Sequence, residues 1–451
     1  MSSLISRLES LSKNLFSNYA QPSRSSSKKP SLNIRLSPSE IKFSSFPSMQ
    51  VPAPKIDPLS KSTSDRVPDK MTDDGDKSNE IMDRKKQLSD DEIKKRNRRL
   101  VFGESAILKK LKDEFEAAQA EQIKEPDVEE WTQADYTQSN DCKSSGKNYF
   151  RDLLGDSVLS SLGDFGVAYT RGTRKANGKI KPMEDEYIAT TVSFADTSYP
   201  LFGVFDGHDG KDCATFVKGN LPNYLTEYLN KIRLNYPKES SKDKLLFPIF
   251  NLLKLPGVEL GAQFREEKQN LSRAHIGCTS NFATINDGFI YVSNIGDSRC
   301  IISSNGKPIA LSRDAKPDKE NILKGIKKRR GWISKSEVPR VKGVLAVGRA
   351  IGHHEGRSGI NPRAKIIRYP LKDLKGIRNY LIIATDGFWE NVSNRQAAQA
   401  VQELAKKGSN AEQIALALTR RAKVAGDSTE DLSENITVII VNLQQFIPYE
   451  E

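Results

Sequence analysis

The sequence predicts an α+β domain in which layers of strands and helices pack together, and two patterns carry this prediction. From about residue 164 onward, short apolar runs bounded by Gly, Asp and Asn recur, as expected of buried strands. These runs occur consecutively, and helical stretches come between them in pairs, which does not fit a regular strand–helix alternation. The chain also lacks a G-x-G-x-x-G loop after a strand and a Walker A loop, so nucleotide-binding folds lose their usual support.

Each element follows from its local pattern. The strand candidates are residues 199–205, 279–285, 289–295, 300–303, 380–385 and 436–443. The helical candidates are residues 211–229, 257–272, 320–330, 394–406 and 411–424. Pro256 supports the start of the second helix, because proline suits the first helical turn.

The N-terminal part has a different composition. The whole chain is 37% hydrophobic and carries a formal net charge of +12, and its mean hydropathy is −0.57. Residues 1–88 are rich in Ser, Pro, Lys and Asp without sustained periodicity, so we expect this basic segment to be disordered. The positive charge favours acidic partners, among them phosphoproteins, nucleic acid and anionic surfaces.

The same composition leaves two alternatives for localisation. In the first 39 residues Glu9 is the only acid, and Leu4, Leu8, Leu11 and Leu15 recur at helical intervals, as in a mitochondrial or other organellar transit peptide. A disordered basic tail on a cytoplasmic or nuclear protein explains the same residues. No apolar run has the length needed to span a bilayer. The cysteines lack zinc or redox spacing and fit a reducing compartment.

Residues 89–147 are predicted to form a charged helical segment and a linker. Ser89 and Glu92 match a capping box, and Gly103 is expected to divide the helix that follows. An apolar stripe at helical spacing contains Ile107, Leu108, Leu111 and Phe115. The basic run 94–99 fits either a solvated helix face or an anion-binding or nuclear-localisation patch. A polar linker at 135–147 then leads into the main domain, residues 148–447.

Acidic residues stand where predicted strands end or begin. Asp206, Asp297 and Asp386 each follow a strand, and Glu434 precedes the last one. A strand followed by Asp-Gly is an ordinary turn, but several carboxylates at the rim of a rigid sheet supply the oxygen ligands that Mg²⁺ and Mn²⁺ require. Gly207 would let a backbone carbonyl approach such an ion. The pattern alone therefore predicts a candidate divalent-metal site.

A series of motifs occurs in the order seen in type 2C protein phosphatases. These motifs are Pro182-Met183-Glu184-Asp185, Val204-Phe205-Asp206-Gly207-His208, Gly296-Asp297-Ser298-Arg299, Asp314-Ala315-Lys316-Pro317, Arg340 to Gly352, Ala384-Thr385-Asp386-Gly387-Phe388-Trp389 and Glu434-Asn435-Ile436-Thr437-Val438. The sequence thus resembles this metal-dependent serine/threonine phosphatase family. The resemblance implies a sandwich of two antiparallel β-sheets flanked by α-helices, with metals in a cleft at one edge.

The resemblance also implies the metal ligands. It predicts two Mg²⁺ or Mn²⁺ ions, with a third bound more weakly. Asp206 matches the carboxylate that bridges two ions, Gly207 the carbonyl ligand, and Asp386 and Glu434 the remaining ligands. Glu184 matches an acid that acts through water. The positions used for the third ion are occupied by Asp297 and Glu390.

The implied reaction is hydrolysis of phosphoserine or phosphothreonine by a metal-activated bridging hydroxide. His208 matches the general acid for the leaving alkoxide, and histidine suits that role because it titrates near neutral pH. The family's phosphate-binding arginine would stand where this chain has Ile180. Arg174 and Lys181 are the candidates to replace it, although a lysine lacks the bidentate fork.

Further departures leave two functional alternatives. Glu434 and Glu390 stand where the family usually has Asp, and His353 stands where an acid is customary. Ala315 replaces a usual His, and Asp209 replaces a usual Gly. We expect an active, monomeric phosphatase acting on phosphoproteins; the alternative is a catalytically impaired pseudophosphatase that serves as a regulatory scaffold.

Overall fold

The computed structural model describes residues 90–122, 141–174, 179–194, 197–235, 252–267, 276–353, 359–428 and 433–447. The disordered segment predicted for residues 1–88, and both explanations of its basic composition, lie outside these residues.

Two antiparallel sheets form the centre of the fold. The first contains β1 (Lys143–Ser145), β2 (Phe165–Thr170), β11 (Arg299–Ser304), β12 (Lys307–Ala310), β15 (Asn379–Ala384) and β16 (Ile436–Asn442), in the order β1-β2-β16-β15-β11-β12. The second contains β5 (Glu186–Phe194), β6 (Thr197–Phe205), β9 (Ser280–Asn286), β10 (Phe289–Ile295) and β14 (Lys365–Pro370), in the order β14-β10-β9-β6-β5.

The remaining strands that the structure describes form two smaller sheets. One is the antiparallel set β13 (Ile351–Gly352), β8 (Gly277–Cys278) and β7 (Gly207–His208), with β8 in the middle. The other is a hairpin of β3 (Thr173–Arg174) and β4 (Lys179–Ile180).

Helices cover the outer faces of both sheets. They are α1 (Asp90–Gln122), α2 (Lys147–Leu154), α3 (Asp156–Leu162), α4 (Asp212–Asn235), α5 (Pro256–Glu267), α6 (Glu320–Lys328), α7 (Asp386–Trp389), α8 (Asn394–Lys406) and α9 (Ala411–Ser428). Helices α4 and α5 pack on the second sheet, whereas α7, α8 and α9 pack on the first. In the part of the chain that the structure describes, no helix is long and apolar enough to cross a membrane.

Alternating side chains of the central strands fill two separate apolar layers. In β16, Ile436, Val438 and Ile440 face the helices, whereas Ile439 and Val441 face the other sheet. A strand buried on both faces needs apolar residues at every position. This requirement explains the apolar run 438–441 in β16. The two packed antiparallel sheets with their helices confirm the predicted α+β sandwich.

Most predicted elements are confirmed, and three predictions are wrong. Gly103 does not divide the N-terminal helix, because α1 is continuous from Asp90 to Gln122. Leu108 does not join the buried stripe, since 45% of it remains exposed. The supposed linker contains β1, whose residues pair with β2. In addition, the sequence did not predict β14, a short strand that ends at Pro370.

Helix α1 packs against the apolar core through one face. Ile107, Leu111 and Ala118 are buried, and the ring of Phe115 lies 5.6 Å from that of Tyr369 in β14. Leu111 is only 4% exposed. The helix is therefore held by the apolar residues that gave it its sequence pattern.

The same helix covers an edge strand of each sheet. The amide of Gln119 donates to the carbonyl of Ala310 at 2.7 Å and accepts from the Ala310 N–H at 3.3 Å, as a neighbouring strand would. Gln122 donates to the carbonyl of Pro308 at 2.7 Å. At β14, Lys365 forms an ion pair with Glu114 of the helix. Covered edges are protected from pairing with other chains.

Candidate metal centre and active site

Three carboxylates converge where strands of the two sheets end. Asp206 directly follows β6, Asp297 lies two residues after β10, and Asp386 is the first residue of α7, just after β15. One carboxylate oxygen from each lies within 4.8 Å of the others. The short turns after buried strands fix these side chains in place, because each strand is anchored on both sides in its sheet.

Burial makes these carboxylates electrostatically costly. It raises the pKa of Asp206 well above its usual range, and the nearby charges of Asp386, Asp185 and Asp297 raise it further. Burial likewise raises the pKa of Asp386, with Asp297 as the next cause. Like charges at such separations favour protonation unless a cation neutralises them.

The three side chains fit a hard divalent cation. Carboxylate oxygens are the donors that Mg²⁺ and Mn²⁺ prefer. The buried Asp297 carboxylate is met by one protein cation, the ammonium group of Lys316, which lies 2.5 Å from its Oδ2 atom. Asp206, Asp297 and Asp386 are therefore the residues that would hold an ion here.

Lys316 lies within this acidic group and was not predicted as a site residue. Its Nζ is 2.5 Å from Asp297, 3.7 Å from Glu390 and 3.9 Å from Asp386. Burial alone would lower the pKa of Lys316, but the surrounding carboxylates raise it above its usual value. The ammonium group thus supplies positive charge beside Glu390 and Asp297, the two positions predicted for a third ion.

Glu434 forms an ion pair with Lys181 and lies outside the group of three converging carboxylates. Its charge is still close enough to raise the pKa values of Asp206 and Asp386. The metal-ligand role of Glu434 and the phosphate-binding role of Lys181 stay predictions.

Glu184 and Gly207 lie against each other at the end of β6. A Cβ atom at Gly207 would lie 2.4 Å from the carbonyl oxygen of Glu184, so only glycine fits this contact. Burial raises the pKa of the Glu184 carboxyl, while a hydrogen bond from the backbone of Gly210 opposes that shift. The predicted role of the Gly207 carbonyl as a metal ligand stays a prediction.

Asp185 is a buried acid that the sequence analysis did not assign to the site. It accepts hydrogen bonds from Thr385 at 2.9 Å and Thr437 at 2.7 Å, two hydroxyls at the ends of β15 and β16. Burial raises its pKa to about 6 despite these bonds. The charge of Asp185 raises the pKa of Asp206. The signal in the sequence that could have identified Asp185 is its place in the motif around Met183.

The segment that carries Glu434 is tied to the neighbouring β3 region. Asn435 accepts from the backbone N–H of Gly172 at 3.0 Å and donates to the carbonyl of Pro182 at 2.9 Å. Nearby, the buried ammonium of Lys423 donates to Thr173 at 2.8 Å. These bonds hold the start of β16 against the site.

The remaining predicted residues have separate surroundings. His208, in β7, has its Nε2 atom 2.9 Å from that of His353. Burial lowers the pKa of His208 to about 4, which differs from the near-neutral titration expected from the sequence. Arg174 pairs through its backbone with Lys179 in the β3–β4 hairpin, and its side chain lies outside the described residues.

A family model described as "Protein phosphatase 2C" matches residues 169–430, which is more than half of the 451-residue chain. The chain therefore belongs to the protein phosphatase 2C family, as its motifs predicted.

Individual relatives and structures agree with this assignment. The chain is 30% identical over 277 residues to "Probable protein phosphatase 2C 7" of Oryza sativa subsp. japonica, covering 60% of this chain and 64% of that protein. It is 31% identical to "Probable protein phosphatase 2C 45" of the same organism, covering 63% of this chain and 89% of the relative. A solved "serine-threonine phosphatase 2C from Toxoplasma gondii" shares the fold, with a TM-score of 0.53 and 22% identity over 62% of this chain and 96% of that one.

Proposed function

We propose that this chain hydrolyses phosphoserine and phosphothreonine in proteins and depends on Mg²⁺ or Mn²⁺. The observation that carries the proposal is the convergence of Asp206, Asp297 and Asp386 within 4.8 Å at the ends of strands in a protein phosphatase 2C fold. Such a group has no evident structural purpose, because it raises the cost of folding and gains no apolar contact.

The residues of the site divide the work of phosphoryl transfer to water. The three carboxylates would hold a divalent ion, which would supply Lewis-acid activation of water and charge neutralisation at the phosphoryl oxygens. Asp185, held by two threonine hydroxyls, adds negative charge close to Asp206. His208 is the proposed acid that gives a proton to the departing serine or threonine oxygen. Lys181, beside Glu434, and Arg174 are the proposed cationic groups for the phosphate.

The site is tested by hydrolysis of a phosphothreonine peptide with Mn²⁺, with Mg²⁺ and with EDTA. Wild-type protein should turn over the peptide only with metal, and Asp206→Asn should lower kcat by about a thousandfold, because a buried neutral amide cannot replace a charged ligand. Asp212→Asn, an exposed acid at the start of α4, is the matched control and should keep normal turnover. Folded protein without turnover in either metal would contradict the proposal.

The scaffold alternative makes a different prediction at Glu434. If the longer side chain only impairs an enzyme, Glu434→Asp should raise metal-dependent turnover. A scaffold that is inactive for other reasons should stay inactive in this variant. The Glu434→Asp result therefore separates an impaired enzyme from a pseudophosphatase.

The proposal also covers the class of substrate and the cellular compartment. Phosphoproteins are the proposed substrates of a monomeric enzyme in the cytoplasm or nucleus, with organellar import as the competing destination. A 31% identical rice relative is described as "Probable protein phosphatase 2C member 13, mitochondrial". Imaging the full chain with a C-terminal fluorescent tag, with and without residues 1–39, distinguishes these destinations: loss of an organellar signal on deletion would identify a transit peptide.

A further inference from the structure

The rings of His208 and His353 meet edge to edge, and His208 lies two residues after Asp206 in the chain. Their Nε2 atoms are 2.9 Å apart, and the rings lie in nearly parallel planes with centroids 4.9 Å apart and an interplanar angle of 20°. His353 is 2% exposed. This distance is that of a hydrogen bond, so one of the two nitrogens must carry the shared hydrogen.

The small sheet β7-β8-β13 brings the two rings together. His208 lies in β7, and His353 directly follows β13, on the other side of the central strand β8. A Cβ atom at Gly277 in β8 would lie 2.4 Å from Nε2 of His353 and 2.6 Å from Nε2 of His208. Glycine at this position therefore leaves the space in which the rings meet.

The backbone at His353 is held in an unusual conformation. Its φ is +59°, in the left-handed region that few residues other than glycine adopt readily. Its N–H donates to the carbonyl of Ile276 at 2.9 Å. A strained backbone kept by surrounding bonds is often associated with a functional side chain.

The pairing of the rings limits which atom of His208 can reach a substrate. When His208 acts as an acid, both of its ring nitrogens carry hydrogens. If Nε2–H is donated to Nε2 of His353, Nδ1–H is the hydrogen that remains for the leaving oxygen. His353 would then carry its own hydrogen on Nδ1 and act at Nε2 only as an acceptor.

We propose that His353 is a positioning residue, which accepts the Nε2–H of His208 and so orients the Nδ1–H of His208 toward the leaving oxygen. The inference rests on the proposed function, in which His208 is the general acid.

Two substrates with different leaving groups test this role. Threonine alkoxide is a strong base that needs a proton as it leaves, whereas p-nitrophenolate leaves without one. His353→Phe keeps a buried ring but removes the acceptor. It should lower kcat for a phosphothreonine peptide about tenfold, with KM unchanged, and lower kcat for p-nitrophenyl phosphate less than about twofold.

Further variants separate positioning from folding. His353→Gln retains an acceptor at similar reach and should recover most of the peptide activity. In a His208→Ala background, His353→Phe should cause no additional loss with the peptide, since coupled residues are not additive. Ile351→Val, a buried packing change in β13, is the control and should affect both substrates equally.

The outcomes distinguish this inference from the proposed function. If wild-type protein hydrolyses neither substrate with Mn²⁺, the proposed function fails. If it hydrolyses both, but His353→Phe slows both equally, or His353→Phe still slows the peptide when His208 is absent, the positioning role is overturned.

Discussion

The carboxylate cluster and helix α1 are held in the fold by opposite physics. In the cluster, Asp206, Asp297 and Asp386 bring like charges together in a buried place, and burial raises the pKa of each. Helix α1 buries apolar side chains and pairs its polar groups with the edges of both sheets. The cluster lowers the free energy of unfolding, whereas the packing of helix α1 raises it.

The difference indicates which region serves function. Residues that lower stability persist only where another requirement keeps them, and perturbed carboxylates in one group are a common sign of a functional site. Helix α1 lies outside the residues matched by the family model, yet it covers both sheet edges. We therefore expect substitutions in α1 to lower stability without changing activity. Substitutions in the cluster should lower activity and, without metal, raise stability.

The largest effect on stability is expected in α1. Leu111→Ala removes a buried side chain and should lower the free energy of unfolding by about 2–4 kcal/mol, with kcat of the folded enzyme unchanged. Urea unfolding and peptide hydrolysis measure the two quantities. Leu108→Ala, one turn away and 45% exposed, is the matched control and should cost less than about 0.5 kcal/mol. Equal losses in both variants would show that α1 is not docked through this face.

A smaller effect is expected from the charge of Asp206. In the folded chain its pKa is raised above the ordinary value of 3.8, so the stability that the protonated carboxyl provides at low pH is lost as the pH rises. Asp206→Asn avoids this loss. In EDTA the variant should match wild type near about pH 4 and exceed it by about 1 kcal/mol near about pH 7. A gain that does not change with pH would exclude electrostatic repulsion as its cause.

Much of the fold was predictable because the central strands are buried on both faces. Their apolar runs identified β10 at its exact bounds, and the helical candidate at residues 394–406 has the bounds of α8. The sequence was less informative where tertiary contacts override local preference. Gly103 lies inside a continuous helix, and the polar residues 143–145 become a strand only because β2 offers an edge to pair with.

The sequence indicated which acids lie at strand ends, but it did not indicate which charged residues form ion pairs. Strand ends indicated Asp206, Asp297 and Asp386, since local sequence marks where strands stop. Which charges meet depends on contacts between distant segments, such as Lys181 with Glu434 and Lys316 with Asp297. No local pattern records these contacts, so the sequence analysis predicted Lys181 as a phosphate-binding group and assigned no role to Lys316.

The most direct test of the contrast between the two regions is the thermal stability of wild type and Asp206→Asn, with Mn²⁺ and with EDTA. In EDTA the variant should melt at the higher temperature, because one buried negative charge is gone. With Mn²⁺ at about a hundred times its Kd, wild type should gain about 2.7 kcal/mol and become the more stable protein, since the variant lacks a ligand. Two results would contradict the claim that the cluster binds metal and lowers stability without it. One is a wild type that is more stable than the variant in EDTA, and the other is equal stabilisation of both proteins by Mn²⁺.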